Sequence, residues 1–233
     1  MPLVDSAGWQ GVQIVLNKAP GDQTDLEFDA GNVEDDRVKD LELDSQQVVG
    51  QCRVVAKFLE GETFTVLSSR GTDAKGLELI EKLTEESILA GKTLVSGHDT
   101  PEYQRSSIVP LRWGAPRVIV LDCGLFKALG DDLKEEPFRA ARLWRYQFDP
   151  KTDLAVSCLN PDSDYHPNSN KIRDRLIASL SLNLDFVNIR VGGNMEALAK
   201  SSLRAGRIVR IPDYLETEVK LKQLGAALIP TSY

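Results

Sequence analysis

The 233 residues are 42% hydrophobic and 27% charged, the balance of a globular chain with enough core to fold without disulfides or metal. No apolar run approaches the roughly 20 residues of a membrane span, and the first ten residues have neither the basic start nor the apolar stretch of a secretory signal. Isolated Cys52, Cys123 and Cys158, with only His98 and His166 as histidines, exclude a disulfide framework and a zinc cluster and imply a reducing cytoplasm.

In chain order, residues 1–62 carry 13 acids against 5 bases and form an acidic N-terminal extension. Gly11–Leu16 and Asp25–Asp29 have strand character, the stretch around Glu34, Asp35, Asp36 and Asp40 reads as an exposed turn, and Ser45 is placed to cap a helix running to Leu59. From residue 63 the pattern alternates. Thr63–Leu67 is a short β-branched run, 74–90 an amphipathic helix, Thr93–Val95 a strand, and 102–113 a helix. Val118–Leu121 is a buried strand. Residues 134–146 suit a helix, Leu154–Cys158 a strand, 169–180 a helix, Phe186–Ile189 a strand, 194–205 a helix, Ile208–Ile211 a strand and 214–224 a last helix. Short strands alternating with helices predict an α/β, Rossmann-like domain over 63–233, with a largely parallel sheet and helices on both faces.

In such a sheet, ligands bind outside the carboxyl ends of the strands. Three of those ends combine serine or glycine with a following helix: Ser68–Gly71, Ser96–Asp99 and Arg190–Asn194. Unpaired backbone N–H groups and a positive helix end make each a candidate anion site. Residues 170–210 add eight bases against three acids. The candidate phosphate-binding residues are therefore Ser69, Arg70, Gly71, Ser96, Gly97, His98, Lys171, Arg173, Arg175, Gly192, Gly193 and Asn194. Arg173 and Arg175 lie about 200° apart on a helix and cannot both face one ligand. Lys171 and Arg175, four apart, form the expected phosphate grip, with Arg70 converging on the same edge. Trp144, Tyr146 and Phe148 cluster with Arg139, Arg142 and Arg145; the reading preferred is a helix end packing its aromatics into the sheet, the other a base-stacking surface. The polar loop 160–170 reads as a mobile flap.

The run Lys171–Ser181, KIRDRLIASLS, resembles the R-N-R-(I/L)-I-A-(G/A)-L-S signature of the DNA-processing protein A (DprA/Smf) family. The later run GGNMEALAKSSLRAGRIVRIP is similar to that family's second conserved block. Ser68-Ser69-Arg70 stands where the family has G-S-R, Val95-Ser96-Gly97 where it has V-S-G, and VIVLDCGL where it has a strand ending V-L-G-x-G-L-D. These landmarks follow one another at family spacing across 63–212. The resemblance implies a Rossmann-like fold that binds single-stranded DNA in a basic pocket, commonly as a homodimer, and hands the strand to a RecA-like recombinase during DNA uptake, recombination or defence. This chain departs from the pattern at Ser68, at the shortened segment after Gly97, and at Asp174, where the family has asparagine.

Two other functions stand beside that one. A nucleotide- or nucleotide-signal-binding module would use the same edge for one phosphorylated ligand. A hydrolase acting on N-glycosidic or phosphate bonds would need a catalytic set, and the P-G-G-x-G-T-x-x-E motif of phosphoribohydrolase relatives is missing. No catalytic residue, cofactor or metal is expected. The acidic extension would dock a basic partner, mimic nucleic acid over the binding edge, or serve as a solvated cap.

Overall fold

The computed structural model describes residues 3–4, 10–14, 46–49, 61–150 and 152–229. Seven strands run parallel: β4 (Thr63–Ser68), β5 (Thr93–Ser96), β6 (Arg117–Val120), β7 (Leu154–Ser157), β8 (Asn183–Asn188), β9 (Ile208–Ile211) and β10 (Ala227–Leu228). Three more, β1 (Leu3–Val4), β2 (Gln10–Ile14) and β3 (Gln46–Val49), extend the sheet antiparallel beyond β7, with Val48 opposite Val156. The order is β1-β2-β3-β7-β6-β5-β4-β8-β9-β10. The parallel part thus winds outward from β4 to β7 and then reverses, so that β4 and β8 pair at the point where the winding direction changes. The fold is the expected α/β, Rossmann-like one.

Alternation along the strands separates the core into two layers. On one face, Val95, Val118, Val120, Leu154, Val156, Leu184 and Phe186 pack under α4 (Ser169–Leu180), α5 (Asn194–Arg204) and α6 (Glu218–Gln223). On the other, Phe64, Val66, Leu94 and Val187 meet α1 (Ala74–Leu89) and α2 (Pro101–Trp113), while Ile119 and Ala155 meet the short α3 (Leu125–Leu129). The helix starts follow capping rules. The Asp73 carboxylate accepts from the Gly76 amide at 2.8 Å, and Thr100 caps α2 ahead of Pro101 in its first turn.

Several expectations are corrected. Gln46–Val49 is a strand, so no helix begins at Ser45; its β-branched Val48 and Val49 are used in pairing with β7. Asp25–Asp29, the acidic turn around 34–40 and Cys52 lie outside the described residues. The helix expected over 134–146 is a 3-10 turn, Arg139–Leu143, set in a loop. Pro137 interrupts that stretch, and the buried Glu136 carboxylate accepts from the Phe138 amide, competing with a helical ladder. Of the three aromatics expected against the sheet, only Phe148 is buried; Trp144 is 43% and Tyr146 84% exposed. Near its start, loop 160–170 accepts backbone hydrogen bonds from Gly124, at Ser163, and from Phe126, at Pro161.

At the amino ends of the strands a buried charge network holds the 134–146 segment in place. Arg117, 1% exposed, donates to Asp153 at 2.7 Å and to both oxygens of Glu136 at 2.8 and 2.9 Å. Arg145 reaches the same two carboxylates. The two guanidiniums balance two carboxylates away from water.

Candidate functional site

Reversal of the winding between β4 and β8 leaves a crevice beyond their carboxyl ends, where an open parallel sheet takes its ligands. Two loops form it. The Ser69 amide donates to Asn188 O at 2.8 Å, the Arg190 amide donates to the Ser69 hydroxyl at 2.9 Å, and an Arg190 guanidinium nitrogen donates to Arg70 O at 3.4 Å. The Arg190 side chain therefore reaches the Arg70 backbone, and both residues are exposed. Arg70 makes no ion pair with the described residues, and neither does Arg190. The tight turns need left-handed backbone at Gly71 (φ 80°) and Gly192 (φ 71°), a conformation costly for residues with a Cβ. Helix α5 opens at Gly193 with no side-chain cap, its positive end facing this crevice.

The amides of the two turns are not vacant. Glu102 in the first turn of α2, 5% exposed, accepts from the Gly71 amide at 2.8 Å and the Thr72 amide at 3.2 Å. Across the crevice, Glu196 accepts from the Gly192 amide at 2.6 Å and pairs with Lys200. That Lys200 contact and the Gly192 hydrogen bond hold the Glu196 carboxyl below its ordinary pKa.

Arg173 lies deeper, beneath the ends of β5 and β6. It pairs with Asp99, with Asp174 at 2.9 Å and with Asp122 at 3.6 Å, and stacks its guanidinium 4.8 Å from the Tyr103 ring centre. Burial favours the neutral form of such a group, but Tyr103, Asp174 and Asp99 raise its pKa, so it stays charged. Asp174 also accepts from the Tyr103 hydroxyl at 2.7 Å and from the Asn194 amide group at 3.1 Å. This one carboxylate joins α2, α4 and α5. Burial, then Asp174, pushes the Tyr103 phenol well above its usual pKa. His98 is driven down by burial, with Asp122 and Asp99 opposing, and its Nε2 has no hydrogen-bond partner among the described residues. Ser96 lies in a buried hydroxyl group with Ser106 and Ser107, and Ser107 donates to Gly97 O.

The twelve sequence candidates thus fall into three places. Ser69, Arg70, Gly71, Gly192 and Gly193 line the β4/β8 crevice. Asn194, at the start of α5, turns its side chain to Asp174 below. Buried Ser96, Gly97 and Arg173 form the deeper layer with half-buried His98, and there Arg173 is committed to carboxylates. Exposed Lys171 and half-buried Arg175 lie on the opposite side of α4 from Arg173. Sequence reading missed Glu102, Asp122 and Glu196, whose roles depend on loop–helix approach, and it left Arg190 outside the set. Of the basic run 170–210, Arg210 is held by Asp185 at 2.6 Å, Lys200 by Glu196, and Arg207 by the Ser179 and Ser181 carbonyls. Burial raises the thiols of Cys123 and Cys158 to about 11 and 12, so both are protonated at neutral pH. Among the described residues no group of histidine, cysteine or carboxylate side chains is arranged to hold a metal ion, and no helix is long and apolar enough to cross a membrane.

No family model and no curated protein matches the chain. Solved structures do. DNA processing protein A from Streptococcus pneumoniae superposes with a TM-score of 0.62 at 18% identity, over 79% of this chain and 62% of that one. This chain therefore spans less than two thirds of that relative's length. The Helicobacter pylori DNA processing protein A, described for its single-stranded DNA binding mode, gives 0.64 at 15% identity over 96% of this chain and 92% of that one. The molybdenum cofactor binding protein of Rippkaea orientalis gives 0.49 at 10% identity, over 73% and 90%. The sequence resemblance to DNA-processing protein A is matched by the fold.

Proposed function

We propose that this protein binds single-stranded DNA across the β4/β8 crevice, with Arg70 and Arg190 gripping backbone phosphates and the uncapped start of α5 adding its positive end. The observation that carries the reading is a pair of exposed arginines, with the Arg190 guanidinium resting on the Arg70 backbone carbonyl, at the winding reversal of a sheet with the DNA-processing A fold. Guanidinium forks suit phosphate oxygens and retain their charge at any physiological pH. Lys171 and Arg175 extend the same electrostatic surface at longer range and are not the primary grip. A second copy of the chain and a RecA-like recombinase are the partners this reading adds.

Titration of a fluorescent single-stranded oligonucleotide over a salt series tests it. Affinity should fall steeply with salt, and Arg70→Ala or Arg190→Ala should each lower the slope of log affinity against log salt by about 0.7. Lys171→Ala should change it less. Salt-independent binding, or full affinity in the Arg70→Ala/Arg190→Ala double variant, overturns the proposal.

A further inference from the structure

Each turn bordering the crevice presents backbone donors, and each already holds a carboxylate. Gly71 and Thr72 direct two N–H groups at one oxygen of Glu102, and Gly192 directs its own at Glu196. Glu102 comes from α2, thirty residues away in sequence, and is buried as it reaches the turn. Removing a carboxylate from water costs free energy that hydrogen bonds must offset. Here the offset comes from the same amides that a phosphate would need. Successive backbone N–H groups turned to one point are a standard anion-binding arrangement, and in this protein the anion is part of the chain.

The geometry points to Glu102 as a specificity-determining residue: its carboxylate fills the Gly71–Thr72 amide site as a resident anion and excludes terminal phosphate groups, so the crevice accepts phosphodiesters and rejects phosphate monoesters and pyrophosphate. This rests on the proposed phosphate-binding role of the crevice. The chemistry separates the two ligand classes. A terminal phosphate carries about two negative charges near neutral pH and is best held by several converging donors, here obstructed by a like-charged group. A diester in a strand carries one charge per nucleotide and needs only a guanidinium reaching from the side, which Arg70 and Arg190 supply without displacing Glu102. Glu196 supports the same selection from the opposite turn, where its bond to Lys200 fixes its carboxylate against Gly192.

The test uses the full chain, with pyrophosphate and a single-stranded oligothymidylate lacking a terminal phosphate as separate probes. Each is followed by calorimetric titration and by the rise in melting temperature that a ligand specific to the folded state produces. Wild type should ignore pyrophosphate. Glu102→Ala, which bares the two amides, should gain pyrophosphate binding, at least on the order of tenfold tighter than wild type. Where Glu102→Ala fails to fold, Glu102→Gln decides: it preserves size and an acceptor but removes the charge, and should show a smaller gain in the same direction. Pyrophosphate binding by wild type, or no gain in a folded Glu102 variant, overturns the inference. Failure of wild type to bind oligothymidylate, with pyrophosphate binding still gained by the variant, would instead remove the DNA-binding reading and leave the role of Glu102 standing.

Discussion

Arg173 and His98 illustrate how charge is distributed by depth at the strand ends. Arg173, in a basic run that reads as an anion grip, serves as the central counter-ion for Asp99, Asp122 and Asp174. The asparagine-to-aspartate departure at 174 therefore fits its surroundings, because Arg173 lies directly against it. His98 sits in the same layer with its pKa lowered by burial. A histidine that prefers the neutral form when folded contributes stability in full above its unfolded value, near 6.5, and loses it as pH falls toward the lowered folded value. Melting temperatures recorded from neutral to mildly acidic pH should therefore drop more steeply for wild type than for His98→Gln, which cannot take up the proton. Parallel pH profiles for the two proteins would rule out this assignment.

Between the strands, the elements divide into those that announce themselves locally and those that do not. The parallel strands β4 to β9 and helices α1, α2, α4 and α5 were legible because β-branched runs, amphipathic periodicity and caps such as Asp73 and Thr100 all agree; the short β10 was not. The 134–146 segment misled because its composition suits a helix while its fate is decided at a distance, by Glu136 turning inward to Arg117. Strand β3 misled for a related reason: a short valine-containing stretch takes its state from the neighbour it pairs with. The candidate crevice was legible at Arg70, Gly71 and Gly192, where the turn chemistry is local, and illegible at Glu102, which arrives from another helix. The Arg117 network carries its own expectation. Arg117→Met would leave Glu136 and Asp153 with only Arg145 between them, a loss of about 3–5 kcal/mol. Urea unfolding should register it as a lower midpoint at unchanged slope. A midpoint within error of wild type would show that Arg145 compensates alone.

At the scale of the whole molecule, the acidic N-terminal extension contributes strands to the sheet itself. Strand β3 covers β7, whose residues Leu154–Ser157 are uncharged and buried. Deleting residues 1–60 should leave the 63–229 α/β unit folded but turn β7 into an open edge, a template for pairing between molecules. Sedimentation of the truncated chain should show larger assemblies than the full chain forms; an assembly state unchanged by the deletion would mean that another segment covers β7. The same deletion removes 12 acids against 5 bases, and with them the whole of the protein's net charge of −7. Tighter oligonucleotide binding by the truncated chain would place the extension over the crevice as an electrostatic shield.

The pairing of Val48 with Val156 also dictates an order of events during synthesis. A strand made early must wait for one made about a hundred residues later, which at roughly 5–20 residues per second is a delay of several seconds or more. Through that interval the emerging chain displays an unmatched edge on the ribosome, and β3 can dock only after the parallel strands have begun to assemble behind it. The earlier-made strand of the pair is then the later to find its place.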